Sequence, residues 1–159
     1  VTADNYIKAE IVSFAASEAG PAAGIEQMLA IACVLFNRRK KGWHGGNWVQ
    51  ILNHAGDVSA LEPHPRKIAD LASPPIRRLL QQVDDIYTGM FNDDLTGVPM
   101  AKDPITGSVR AGQVGGLYFL DAMWQERGET LRPWFQEKIL GDQANHPRIA
   151  QVGMLYIFS

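Results

Sequence analysis

Ala9-Glu10-Ile11-Val12-Ser13-Phe14-Ala15-Ala16-Ser17-Glu18-Ala19-Gly20-Pro21 is the stretch from which the fold is read. Counting from Ala3, the apolar positions Tyr6, Ile7, Ile11, Phe14, Ala15 and Ala16 recur near helical spacing, and Gly20-Pro21 ends the run. A second helix, beginning between Pro21 and Ile25, carries Ile25, Met28, Leu29, Ala32, Leu35 and Phe36. It is apolar nearly all round, the pattern of a helix buried at the centre of a core. Its end, Asn37-Arg38-Arg39-Lys40-Lys41-Gly42, is polar and cationic, which the backbone dipole favours at a C-terminus. A solvated helix terminus is the expectation for this basic block and the Trp43-His44 pair after it. A binding site for an anionic polymer is the alternative.

Working outward, Trp48 to Leu52 predicts a short helix. Ser73-Pro74-Pro75 is a start signal, with Ser73 a candidate N-cap and proline suited to the first turn. Ile76, Leu79, Leu80, Val83, Ile86 and Tyr87 follow at helical spacing, and Gly89 is expected to stop the helix. Residues 90–114 are rich in Gly, Asp and Pro and predict a long loop. Gly116 to Leu120 predicts a strand, Thr130 to Leu140 a helix, and Ile149 to Phe158 a small sheet or hairpin. The expected class is α+β, mainly helical, in one domain spanning residues 1–159.

Composition narrows the functions. Two independent cores in 159 residues would each sit near the lower size limit for stability. Hydrophobic residues at 46% and charged residues at 20% exclude global disorder. A formal charge of -2 provides no strong general attraction for nucleic acid or anionic membrane. The longest apolar stretch, Met28 to Phe36, falls well short of the roughly 20 residues that cross a bilayer. The first five residues lack the basic end and apolar run of a secretion signal. Cys33 is the one cysteine, so an intramolecular disulfide is impossible; inside an apolar helix it reads as a buried, inert thiol. His44, His54, His64 and His146 have no metal-ligand spacing.

Glu18 is the most informative carboxylate. It falls in the last turn of the first helix, where the negative helix end and partial burial both disfavour its charge. A general acid for glycoside cleavage needs such an environment; a solvated Glu at a frayed end is the other reading. Glu10 lies eight residues earlier, close to the same face, and either orients Glu18 or faces water. Glu26 begins the second helix, as a helix-start charge or a groove residue. Trp43, Trp48, Trp124, Trp134, Tyr118 and Tyr156 are core residues or stacking surfaces for sugars.

In order, Glu18-Ala19-Gly20 followed by Val34-Leu35-Phe36-Asn37-Arg38 resembles the opening of the SleB-like cell-wall hydrolases, the spore-cortex-lytic enzymes and their relatives. Their signature is an E-A-(R)-G turn, then a small or apolar helix ending in V-[IL]-x-N-R. Pro75 to Gly89 is similar to the family's next helix, Gly116-Leu117-Tyr118-Phe119 to its A-L-Y-[YF]-F segment, and Gln151 to Phe158 to its closing strand. Asp57-Val58-Ser59 stands where many relatives have Q-F-S, and Leu120-Asp121 where they place Asn after the aromatic pair.

The resemblance implies a lysozyme-like α+β domain that cuts peptidoglycan glycan strands between N-acetylmuramic acid and N-acetylglucosamine, generally as a lytic transglycosylase without metal or cofactor. It places the catalytic acid at Glu18 and a secondary site residue at Tyr118. Glu26 and Ser59 are the further candidate substrate contacts. A hydrolase would add a second carboxylate, for which Asp57, Glu62, Asp84, Asp103 and Asp121 stand open. The implied location is the periplasm or the cell wall. A non-enzymatic wall- or partner-binding module of the same fold is the alternative, motivated by the substituted segments.

Overall fold

The computed structural model describes residues 3–19, 23–62, 72–91 and 116–159. Helix α1 (Ala3–Ala19) ends just before Gly20-Pro21, and α2 (Ile25–Lys41) follows. The inner face of α1 buries Ile11, Val12, Phe14 and Ala15, while every residue of α2 from Ala30 to Arg38 is buried. Each fully buried Leu, Ile or Phe contributes about 1.5–3 kcal/mol of apolar transfer, so the α1–α2 contact dominates the core. Gly42 closes α2 at φ +92°, its N–H reaching the carbonyls of Arg38 and Arg39. This left-handed cap carries little steric cost for glycine alone.

A 3-10 turn (Trp43–Gly46) leads into α3 (Trp48–His54), whose first turn is capped by the Asn47 side chain accepting from the Gln50 N–H at 3.0 Å. A second 3-10 turn (Ala55–Val58) follows. Helix α4 (Pro74–Phe91) lays Ile76, Leu79, Val83, Ile86 and Tyr87 on the core. It is tied to α1 by the Lys8–Asp84 ion pair and by the Tyr87 hydroxyl donating to Asp4 at 3.0 Å. Contrary to expectation, α4 runs two residues past Gly89. A glycine in a helix costs only about 1 kcal/mol, less than the burial of Ile86 and Tyr87 beside it supplies.

Three short strands, β1 (Tyr118–Asp121), β2 (Arg148–Val152) and β3 (Leu155–Phe158), form an antiparallel sheet in the order β1-β3-β2. Ile157 at its centre faces Phe119 on one side and Ala150 on the other. The predicted hairpin is therefore present, with Gly153 at φ +56° in the first position of its two-residue turn. Alternation divides the sheet: Phe119, Ala150, Leu155 and Ile157 join the helical core, whereas Leu120 and Phe158 join Ala60, Phe135 and Ile139. The architecture is mainly helical with a small antiparallel sheet, an α+β arrangement.

Two further expectations are corrected. The helix predicted from Thr130 starts at Pro133, as α5 (Pro133–Phe135), and continues as a π-helical turn (Gln136–Leu140). Thr130 to Arg132 are extended instead. Leu131 bridges Leu61, the Glu62 N–H donates to the Thr130 carbonyl at 2.9 Å, and the Arg132 N–H to the Ala60 carbonyl at 2.8 Å. Pro133, with its fixed φ, suits the start of the helix. The strand predicted from Gly116 begins at Tyr118. The predicted loop from residue 92 onward lies outside the described residues, as do His64 and Asp103. Among the described residues no helix is long and apolar enough to cross a membrane.

Candidate active site

Phe14 and Glu18 are one helical turn apart on α1 and so share a face. The Phe14 ring meets Phe119 of β1 edge-on, with centroids 6.3 Å apart, which turns that face toward the sheet. Glu18 lies in the last turn of α1, as predicted, and is half-buried. Its charge reaches the Arg38 guanidinium.

Arg38 organises the site. Expected in solvent, it is 1% exposed. Its Nε donates to the Leu117 carbonyl at 2.8 Å, and its guanidinium carbon lies 4.9 Å from the Trp43 ring centroid and 5.9 Å from that of Tyr118. Burial pulls its pKa down from 12.5 to about 10, against the opposing pull of Tyr118 and Glu18. The Nη1 atom is buried without a hydrogen-bond partner. Asn37, beside it, donates from Nδ2 to the Gly116 carbonyl at 3.2 Å. The Asn37-Arg38 pair thus clamps the two residues that lead into β1.

Tyr118 is surrounded by rings: Trp43 at 5.7 Å, His146 at 5.5 Å, Trp134 at 6.3 Å and Phe135 at 6.5 Å between centroids. Burial pushes its phenol pKa up, and Arg38 acts the other way. Trp43, Tyr118 and Trp134 are half-buried and form a continuous aromatic row, and the Trp134 indole nitrogen is buried without a partner. Sugar-binding surfaces use such rows for their flat apolar faces. Trp48 is excluded from it. This ring is core, packed on Phe36 at 5.1 Å and Tyr87 at 6.1 Å.

The other candidates are dispersed. Glu26 is exposed in the first turn of α2, and Glu10 is half-buried on α1. Ser59 is half-buried after the Ala55–Val58 turn, its carbonyl accepting from Arg132 at 3.4 Å. Of the possible second carboxylates, Asp84 pairs with Lys8, and buried Asp121 accepts from Arg127 at 3.0 Å and from the Met123 N–H at 2.8 Å. Asp57 accepts from His54 Nδ1 at 2.8 Å, and Glu62 is exposed. Cys33 is buried, with its thiol pKa pushed up to about 12, the inert state expected of it.

Arg38 also lines a cleft of about 180 Å³ together with Trp43, His44, His54, Asp57 and Val58. Two larger clefts, of about 530 and 570 Å³, are lined on the α1–α4 face and beside Tyr156, away from Arg38. Glu18 borders none of the three, and the chemistry of the Arg38 cleft outweighs the size of the others. The spacing of the histidines in the sequence does not bring any two of them together. His44 and His54 in fact stack, with centroids 5.0 Å apart and planes 19° from parallel. The detectable signal was the Gly42 and Gly45-Gly46 punctuation around His44, which marks a sharp reversal between the two helices. Among the described residues no three His, Cys, Asp or Glu side chains could hold a metal ion. No family model, curated protein or solved structure matches the chain.

Proposed function

We propose that the protein cleaves peptidoglycan glycan strands between N-acetylmuramic acid and N-acetylglucosamine as a lytic transglycosylase, with Glu18 as general acid and then base. The observation that carries this reading is the convergence of Glu18 and Tyr118 on the buried cation Arg38, beside the row Trp43–Tyr118–Trp134. The Glu18 carboxyl gives its proton to the glycosidic oxygen as the bond from that oxygen to the anomeric carbon breaks. The resulting carboxylate faces developing positive charge at the anomeric carbon, and Arg38 favours that ionised state between steps. Glu18 then takes the proton of the sugar's 6-hydroxyl as its oxygen closes on the anomeric carbon. An anhydro-muramyl end forms, no water is consumed, and the acid is regenerated. Tyr118 serves as a hydrogen-bond donor to Glu18 or to an N-acetyl oxygen. Such an enzyme works in the periplasm or cell wall.

Incubating the protein with purified sacculi and identifying released muropeptides by mass spectrometry tests the reading. Anhydro ends from the wild type and none from Glu18→Gln are expected. Undiminished release by Glu18→Gln, or none by the wild type, overturns it. The guanidinium near Glu18 favours a second reading, because a neighbouring cation opposes the protonated carboxyl that the first step needs. A non-enzymatic glycan-binding module would hold sacculi with and without Glu18→Gln and release nothing.

A further inference from the structure

The cleft behind Trp43 also holds His44, His54 and Asp57, which glycan cleavage by Glu18 does not use. One wall is the Trp43–Gly46 turn with the His44 ring; the other is the end of α3 and the Ala55–Val58 turn, with His54 and Asp57. Arg38, 1% exposed and with Nη1 unpartnered, contributes to its lining. Ile51, Ala55 and Val58 add an apolar patch. At about 180 Å³ the space is below the roughly 300–1,000 Å³ of pockets that enclose whole ligands, so it fits one small group.

Charge selects the group. With both imidazoles protonated, Arg38, His44 and His54 outnumber Asp57 by two positive charges; with both neutral, Arg38 and Asp57 cancel. Two neighbouring arginines lean the same way, and the Glu18 carboxylate leans against them. Arg132 donates to the Gly56 carbonyl at 2.9 Å and to that of Asp57 at 3.3 Å, and Arg39 donates to the Gly46 carbonyl at 3.0 Å. Glu18 and Tyr118 approach the same Arg38 guanidinium from α1 and β1. Two imidazolium rings stacked at 5.0 Å repel one another, and an anion placed against both removes that penalty. Their stacked faces and the engagement of His54 Nδ1 by Asp57 suit an anion touching ring edges.

We infer that this cleft is a binding site for a small organic carboxylate, held by Arg38, His44 and His54, with its alkyl part against Ile51, Ala55 and Val58. Binding is strengthened when both imidazoles carry a proton, the state in which the cleft is most positive. The site shares Arg38 and Trp43 with the cleavage reading but depends on His44 and His54, which that reading does not use, so either can fail alone.

The test is a titration of the intact protein with sodium D-lactate, followed by the Trp43 indole and histidine ring resonances at pH 5.5 and pH 8. Saturable shifts are expected at pH 5.5, with affinity at least tenfold weaker at pH 8. The double variant His44→Asn/His54→Gln loses them, whereas Glu18→Gln keeps them; asparagine is chosen because position 44 has φ +51°. Unchanged core methyl resonances in the double variant establish that it is folded. Tighter binding of N-acetylmuramic acid than of D-lactate identifies the carboxylate as one carried on a glycan; equal binding identifies a free acid, and both support the site. Absence of saturable shifts, equal affinity at the two pH values, shifts that survive in the double variant, or tighter binding of inorganic phosphate than of D-lactate overturns it.

Discussion

The Nε of Arg38 donates to the Leu117 carbonyl at 2.8 Å, fastening the C-terminal end of α2 to the residue before β1. That bond spans 79 positions of sequence and holds Tyr118 against the guanidinium that also senses Glu18. Geometry at the site and packing between helix and sheet therefore share one side chain.

Replacing Arg38 separates these two contributions. Holding its charge in the interior, with the pKa lowered from 12.5 to about 10, costs roughly 3 kcal/mol. Against that stand a charged hydrogen bond of about 1.5–3 kcal/mol and a desolvated cation–π contact of about 2 kcal/mol. These nearly cancel. Arg38→Met, which keeps the volume, is expected to change unfolding free energy by no more than about 2 kcal/mol in a urea titration, while the proposed glycan release falls by at least tenfold. A loss of about 5 kcal/mol would show that Arg38 is chiefly structural.

Cys33 sets the alkaline limit of stability. Its folded pKa, about 12, is raised above the unfolded value of 9.0. The folded chain keeps a proton that the unfolded chain gives up, so this contribution is complete below pH 9 and is lost as pH rises toward 12. The slope is about 1.4 kcal/mol per pH unit. Tyr87, raised from 10.0 to about 12, adds to the decline above pH 10, and Arg38 opposes it there. Between pH 9 and 10 the difference between wild type and Cys33→Ala isolates the thiol. Urea titrations should give a wild-type stability that falls about 1 kcal/mol further than that of Cys33→Ala over that unit, because the unfolded thiol is only half ionised at pH 9; parallel curves count against the buried thiol.

Gly116 has no room for a side chain. A Cβ there would lie 1.9 Å from Cγ2 of Ile157, a stiff β-branched residue at the centre of the sheet. Gly116→Ala is expected to destabilise by about 1–3 kcal/mol. It also displaces the carbonyl that Asn37 holds. In a double-mutant cycle with Ile157→Ala the two losses should fall short of additivity by at least about 0.5 kcal/mol. Strict additivity would mean that the clash is relieved by backbone movement.

What could be read from the sequence divides along the range of the interactions. The limits of α1 and α2 were legible because Gly20-Pro21 and Gly42 act on their own backbone. The terminal hairpin was also legible, since its two paired strands are neighbours in sequence. Arg38 was misread because Arg38-Arg39-Lys40-Lys41 has the composition of a solvated helix end; the groups that bury it, Leu117 and Tyr118, lie some 80 positions away. The same holds for Thr130 to Arg132, whose extended form depends on Ala60 to Glu62. At the site, Glu18 was chosen from its helix end and Tyr118 from its resemblance, and the structure couples both to Arg38. The His44–His54 stack joins residues from two elements across a glycine-rich reversal, and no periodicity announces it.

If the proposed glycan cleavage holds, two substitutions in the aromatic row pull binding and chemistry apart. Tyr118→Phe keeps the ring contacts with Trp43, Trp134 and His146 and removes only the hydroxyl. A donor that acts as charge moves through Glu18 matters more in the transition state than in the bound substrate, so kcat should fall roughly tenfold or more with little change in KM. Trp43→Ala removes a half-exposed platform ring and one face of the Arg38 stack. Uniform loss of glycan contact raises KM, and a ring worth about 1–2 kcal/mol predicts a several-fold to tenfold increase. Initial rates on soluble glycan oligomers over a range of concentrations give both constants. If Tyr118→Phe changes KM alone, its hydroxyl holds substrate and takes no part in the proton transfers at Glu18.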